Sequence, residues 1–237
     1  MTERCDIFLD RYICSYTPTL SALIQSRSPD SGWRSSSSRP TILLVAQPGP
    51  SLPTVGGEIQ VVQALDTEVT SLVSAAATSA AVINEFQHHK FVRFACHGTL
   101  GVGKPFEAGF EPHGDKRLTL LEIVRSDVPT AEFAFLAACH TAEVTEGSII
   151  DEGLHLAAAV QHCGFRSVVG TTWAMVEGDG RELAEHFYKA LFSNSRRYYG
   201  IPYYERSAKA LRFAVKRLWR KKQITLEWWV NFVHYGA

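Results

Sequence analysis

With 237 residues, the chain is long enough for one large domain or two small ones. Hydrophobic residues make up 46% and charged residues 20%, the balance of an ordinary globular protein. Lys plus Arg equals Asp plus Glu at 24 each, so no bulk charge argues for a nucleic acid or a membrane surface as partner.

The opening "MTERCDIFLD" lacks the cationic and apolar regions of a signal peptide, and no run approaches a membrane span. The five cysteines are an odd number without the density of a secreted disulfide scaffold, which points to a reducing, cytoplasmic setting. A weakly patterned segment (5–26) leads into a Ser/Pro-rich stretch at 27–40, read as a flexible loop within a single domain spanning 1–237. "TILLVA" (41–46) is an apolar, β-rich run stopped by Gln47-Pro48-Gly49-Pro50, hence a strand and a turn. In "GGEIQVVQALDT", Ile59, Val62 and Leu65 fall on one helical face; "EVTSLV" predicts a short strand. "ATSAAVINEFQ" predicts a helix capped by Thr78 or Ser79, followed by a strand at "KFVRFA" (90–95).

Residues 98–117 read as a polar insertion rich in Gly and Pro, followed by a short helix near "TLLEIVRS" and a strand at "AEFAFLAA" (131–138). "DEGLHLAAAVQHCG" predicts a helix with Asp151 as N-cap and Gly164 as its stop; "FRSVVGTTW" is a further strand. Two long helices follow, "GDGRELAEHFYKALF" and "PYYERSAKALRFAVKRLWRK", the second opened by Pro202. Its basic run "KRLWRKK" (216–222) reads as a solvated face. No internal repeat is present. Near-continuous apolar strands alternating with helices predict an α/β fold, a mostly parallel central sheet with helices on both faces.

Two of these strands end in reactive side chains. "FVRFACHG" delivers Cys96-His97-Gly98, and "FAFLAACHTA" delivers Cys139-His140. Ligands of open α/β sheets sit beyond the carboxyl ends of the strands, so neighbouring strands here would bring a base and a thiol to one crevice. Imidazole suits the proton transfer that a cysteine nucleophile needs, because its pKa lies near 6.5. Gly98 lets the backbone approach a substrate and offer its N–H to an oxyanion, and the small Ala137-Ala138 pair leaves room for a substrate backbone. The bland reading competes: buried cysteines are common, and a strand-end histidine is often simply hydrogen-bonded.

Zinc is the rival chemistry, since Cys96-His97, Cys139-His140 and His162-Cys163 form three couples. Adjacent residues on extended backbone point to opposite sides, and no C-x-x-C or H-x-x-x-H spacing supports a closed site, so neither a metal nor another cofactor is expected. Cys5, Cys14 and Cys163 are read as packing residues. Arg93, a charge inside an apolar strand, is expected to meet a structural carboxylate such as Glu132.

Taken together, "FVRFACHG" and "FAFLAACHTA" resemble the CHAT family, caspase-like cysteine peptidase domains often attached to tetratricopeptide repeats. The resemblance extends through "DEGLHLAAAVQHCGFRSVVGTTWAMVEGDGRELAEHFYKALF", "SYTPTLSAL" near the start and "WWVNFVHYGA" at the end. It implies a caspase-like fold, with His97 as the catalytic histidine and Cys139 as the nucleophile. The backbone N–H groups of Gly98 and Cys139 would then form the oxyanion hole. No third member of a triad stands out; Asp151 and Glu152 are acidic candidates, with a cap the competing role for Asp151. Ala138 and Asp151 are carried as substrate-binding candidates.

The implied activity is cysteine endopeptidase on a protein or peptide, regulated by a partner or by an upstream region such as tetratricopeptide repeats. The same fold without activity, an interaction or signalling module, is the alternative. Ala138 replaces the Asp that metacaspases place before their nucleophile, so an Arg/Lys preference does not carry over. The start of the chain resembles the middle of the family's N-terminal region. The insertion at 101–119 resembles that of fungal members.

Overall fold

The computed structural model describes residues 11–28, 40–99, 107–113, 116–126, 131–137, 156–157, 160–171, 179–193, 200–222 and 231–236. The expected loop at 27–40 lies mostly outside them, as do Cys5, the insertion tip, Cys139 and Asp151.

The apolar runs form a six-stranded sheet. In chain order its strands are β1 (Ile42–Ala46), β2 (Val69–Val73), β3 (Phe91–Ala95), β7 (Phe133–Leu136), β8 (Ser167–Thr171) and β9 (Phe232–Gly236), arranged spatially as β2-β1-β3-β7-β8-β9. All neighbours pair in parallel except β8 and β9. Every residue of β1, β3, β7 and β8 is buried, as a sheet covered on both faces requires.

Strand alternation sorts the core into two layers. Ile42, Leu44, Ala46, Phe91, Ala95, Phe133, Phe135 and Val169 pack under α2 (Val55–Gln63), α5 (Asp179–Leu191) and α6 (Tyr203–Lys222). Leu43, Val45, Val92, Phe94, Ala134, Leu136 and Val168 pack under α3 (Ser79–Phe86), α4 (Leu120–Arg125) and the helical residues 156–157 and 160–162. The short helix α1 (Leu20–Arg27) lies beside β9. Thr78 is the cap of α3, accepting from the Ala81 N–H, and Thr119 with Glu122 forms a capping box on α4. Gly164, at φ +113, ends its helix in the left-handed region.

The 98–117 region departs from its reading as a polar insertion. Residues around it form a second sheet of β4 (His97–Thr99), β5 (Gly109–His113) and β6 (Lys116–Thr119), antiparallel in that order. Phe110 of β5 stacks on Phe94 of β3 with ring centroids 4.1 Å apart, which fastens this sheet to the main core.

At the far edge, the Tyr16 N–H donates to the His234 carbonyl at 2.7 Å, and the Gly236 N–H donates to the Tyr16 carbonyl at 3.0 Å. Ser15 Oγ meets His234 Nδ1 at 2.7 Å, while Ser167 Oγ meets Nε2 at 2.6 Å. Burial pushes the His234 imidazole down to about 3, so the ring is neutral and serves as a connector.

Arg93 does not meet Glu132. Glu132 lies at the start of β7 and takes Lys90 at 2.6 Å, whereas the in-register pairing sets Arg93 beside Phe135, further along the strand. From there the guanidinium reaches Glu58 on α2, with both side chains 1% exposed, and lies over the Phe135 ring at 4.3 Å. Burial alone would lower the Arg93 pKa; the Glu58 carboxylate and Tyr188 outweigh it, and the net shift is upward. Removing only one member of a buried pair strands the other charge. Arg93→Met is therefore expected to cost about 3–5 kcal/mol in urea unfolding, with most of that loss recovered by adding Glu58→Leu. A double variant as unstable as the single one would contradict this account of the pair.

Candidate active site

The parallel register brings three chain segments to one edge. β3 lies between β1 and β7, with Ala46 beside Ala95 and Phe94 beside Leu136. The Gln47 N–H donates to the Ala95 carbonyl at 3.0 Å, and the Ala137 N–H donates to the Phe94 carbonyl at 2.8 Å. The exits from β1 and β7 are therefore bonded to the end of β3, on either side of it. The strands whose ends carry the two Cys-His couples are neighbours, as the crevice argument required.

His97 follows at once, the first residue of β4 and half-buried. The chain turns there from the main sheet into the small one, where His97 pairs with Glu111 and Gly98 with Phe110. Gly98 is buried and extended, directly beside the histidine. Nε2 of His97 lies 2.9 Å from the hydroxyl of Ser51, an exposed residue in the loop after β1. No sequence pattern marked Ser51. The signal available was positional: the loop after β1 opens on the same sheet edge as the loop after β3.

Cys96 is unlike a nucleophile. It is completely buried in the layer with Phe94 and Phe110, facing away from the crevice. Burial first, and the nearby Glu111 carboxylate second, push its thiol far up, although the Glu111 backbone N–H donates to the sulfur. Cys163, at the end of the helix before β8, packs partly buried against the same layer, and burial pushes it up to about 12. Cys14 is half-buried; with Cys96 and Cys163 it is a free thiol. Ala137 packs against the core as β7 ends. The candidate residues Ala138, Cys139, His140, Asp151 and Glu152 lie outside the described residues. Among the described residues no group of three His, Cys, Asp or Glu side chains converges as a metal site, and no helix is long and apolar enough to cross a membrane.

A mostly parallel sheet, closed by an antiparallel edge strand and covered by helices on both faces, makes an α/β fold of the caspase-like kind, shared with solved cysteine proteases. Gingipain R, an Arg-specific cysteine proteinase, superposes with a TM-score of 0.53 at 12% identity over 83% of this chain and 46% of that one. The complex of the pro- and mature domains of Porphyromonas gingivalis RgpB gives 0.53 at 9% identity, over 84% and 47%. The separase–securin complex of Saccharomyces cerevisiae gives 0.53 at 15% identity, over 84% of this chain and 12% of that one. The chain thus spans less than half the length of each of these, and at such identities the likeness is one of fold. A search of curated proteins finds no match. The chain belongs to the CHAT domain family, whose model matches residues 4–237.

The buried position of Cys96 makes a direct prediction. Iodoacetamide at pH 8 should leave Cys96 unmodified in the native protein and label it once urea unfolds the chain. Native-state labelling of Cys96 at the rate of an exposed thiol would contradict the packing described.

Proposed function

We propose that this chain is a cysteine endopeptidase that uses a His97–Cys139 dyad, within one catalytic domain spanning 1–237. The observation that carries the reading is the placement of His97 at the end of β3, hydrogen-bonded to β7, the strand from which Cys139 follows three residues later. The same sequence offset separates the paired residues Phe91 and Phe133 as separates His97 and Cys139, so a crevice at that edge suits both. Exclusion of Cys96 by burial adds support, because it leaves the thiol after β7 as the partner. Free thiols at Cys14, Cys96 and Cys163 accord with a reducing, cytoplasmic setting.

The chemistry proceeds in two halves. His97 takes the thiol proton of Cys139, and the thiolate attacks the scissile carbonyl carbon. The resulting oxyanion is held by the backbone N–H groups of Gly98 and Cys139. His97 then gives its proton to the leaving amine as the C–N bond breaks, forming a thioester. A water attacks that thioester with His97 again taking a proton, and collapse returns the acid product and the free thiol. Ala138 leaves space for the substrate backbone, and Asp151 is a substrate-facing acid in this reading. Substrates are proteins or peptides, with access governed by a partner or an upstream region such as tetratricopeptide repeats. The gingipain and separase likenesses support the peptidase class without fixing the residue cleaved.

Cleavage of a broad peptide library, read by mass spectrometry, tests this. Cys139→Ala should abolish cleavage and His97→Ala should lower turnover by roughly 10²-fold or more, the scale of general acid–base catalysis. Cys96→Ala should retain activity. Equal activity of the wild type and Cys139→Ala would overturn the assignment, and an inert, folded wild type that still binds proteins would favour the interaction module.

A further inference from the structure

A second cleft, of about 330 Å³, lies at the opposite end of the sheet from His97. Ala131 leads into β7 there, and Phe165 and Arg166 lead into β8. Both strands run parallel to β3, so their starts lie away from the edge that carries the histidine. The C-terminal half of α1, Val124 of α4 and the helix end at Gln161 complete the lining.

The frame of this cleft is firmly held. The Arg166 guanidinium donates to the Ser28 carbonyl at 2.7 Å and to the Ser26 carbonyl at 3.4 Å, which ties the end of α1 to the entry of β8. The Gly164 N–H donates to the Gln161 carbonyl at 3.1 Å, and Gly164 closes the helix in the left-handed region. One group in the frame is unmet. Gln161 is 4% exposed, yet neither Oε1 nor Nε2 of its carboxamide has a hydrogen-bond partner. Leaving a buried donor and acceptor unpaired destabilises a fold, whereas an apolar side chain of similar size would not. Packing alone therefore gives no reason for a glutamine here.

We propose that the cleft docks an extended peptide segment of a partner protein, with Gln161 bonding to the peptide backbone. A carboxamide offers a donor and an acceptor side by side. An extended chain offers the N–H and C=O of one residue on the same side, the pair that antiparallel strands exchange. Nε2 donates to that carbonyl while Oε1 accepts from that N–H. Rotation about the Gln161 side chain turns the amide into the cleft it lines, and breaks no protein hydrogen bond, because the amide makes none. Val124 is 44% exposed and Leu121, one turn earlier on α4, is 37% exposed. They give an apolar strip for a peptide side chain next to the bonded residue. The site is remote from the His97 edge, so it selects a partner independently of any cleavage.

A random dodecapeptide library displayed on phage and panned on the full chain tests this. Enriched peptides are titrated by fluorescence anisotropy against the wild type, Gln161→Leu and Val124→Asp. Loss of two hydrogen bonds in Gln161→Leu should weaken binding roughly tenfold or more. Its melting temperature should hold or rise, since an unpaired amide has left the interior. Val124→Asp should weaken binding with the melting temperature unchanged. N-methylation of the one peptide residue that Gln161 bonds should weaken binding to the wild type and leave the residual binding to Gln161→Leu unaltered. No enriched peptide, or peptides bound equally by all three proteins, overturns the inference and leaves the cleft to ordered water. A Gln161→Leu protein that melts several degrees lower gives the amide a structural role and overturns it as well.

Discussion

The structure depends on β3 being held between β1 and β7 in common register. Parallel neighbours in register finish at the same level, so whatever follows them is delivered to one edge. Here that edge receives the Ser51 loop from β1, His97 from β3 and the exit of β7. Both faces of β3 are buried, which makes its register costly to change: a one-residue slip would exchange the two core layers. Arg93 sharpens the constraint. Its charge is met by Glu58 on one face of the sheet, and a slip would carry it into the opposite layer among Val82, Phe86 and Phe110. A buried ion pair adds little net stability, but this one makes the wrong register far worse than the right one.

The small antiparallel sheet extends the same logic. The chain leaves the central strand at Cys96, which stays behind in the core, and His97 begins a new direction opposite Glu111. Phe94 and Phe110 stack across that change of direction, so the turn that carries the histidine is supported from beneath. A hydrogen-bonding side chain on such a junction is oriented by two sheets rather than by a free loop.

Much of this was legible in the sequence, for identifiable reasons. β1 and β7 are apolar without interruption, β3 is broken only by Arg93, and α3 carries a capping threonine at its start, so apolar runs and end signals mark them in the sequence. The strands of the small sheet leave little trace in the sequence: they run three to five residues, and β5 carries Gly109, Pro112 and His113 rather than a β-rich composition. The partner of Arg93 is not legible in the sequence: Glu132 lies three residues short of Phe135, the in-register neighbour of Arg93, and Glu58 sits on a helix packed across the face. Ser51 was missed because its contact joins residues 46 apart and a hydroxyl leaves no periodic trace. His97 and Cys139 were singled out by their position at strand ends, while their roles came from the CHAT resemblance.

Low identity to gingipain R and to the separase complex, with the sheet retained, fits a fold whose core is set by burial pattern while its edge loops diverge. The central claim is that this edge brings the His97 imidazole to the Cys139 thiol. A crystal structure of the chain trapped with a peptidyl acyloxymethyl ketone tests it most directly. The account predicts a carbon–sulfur bond to Cys139 with the His97 ring within hydrogen-bond reach of that sulfur. Attachment at Cys14 or Cys163 instead, or a His97 ring remote from the modified sulfur, would contradict it.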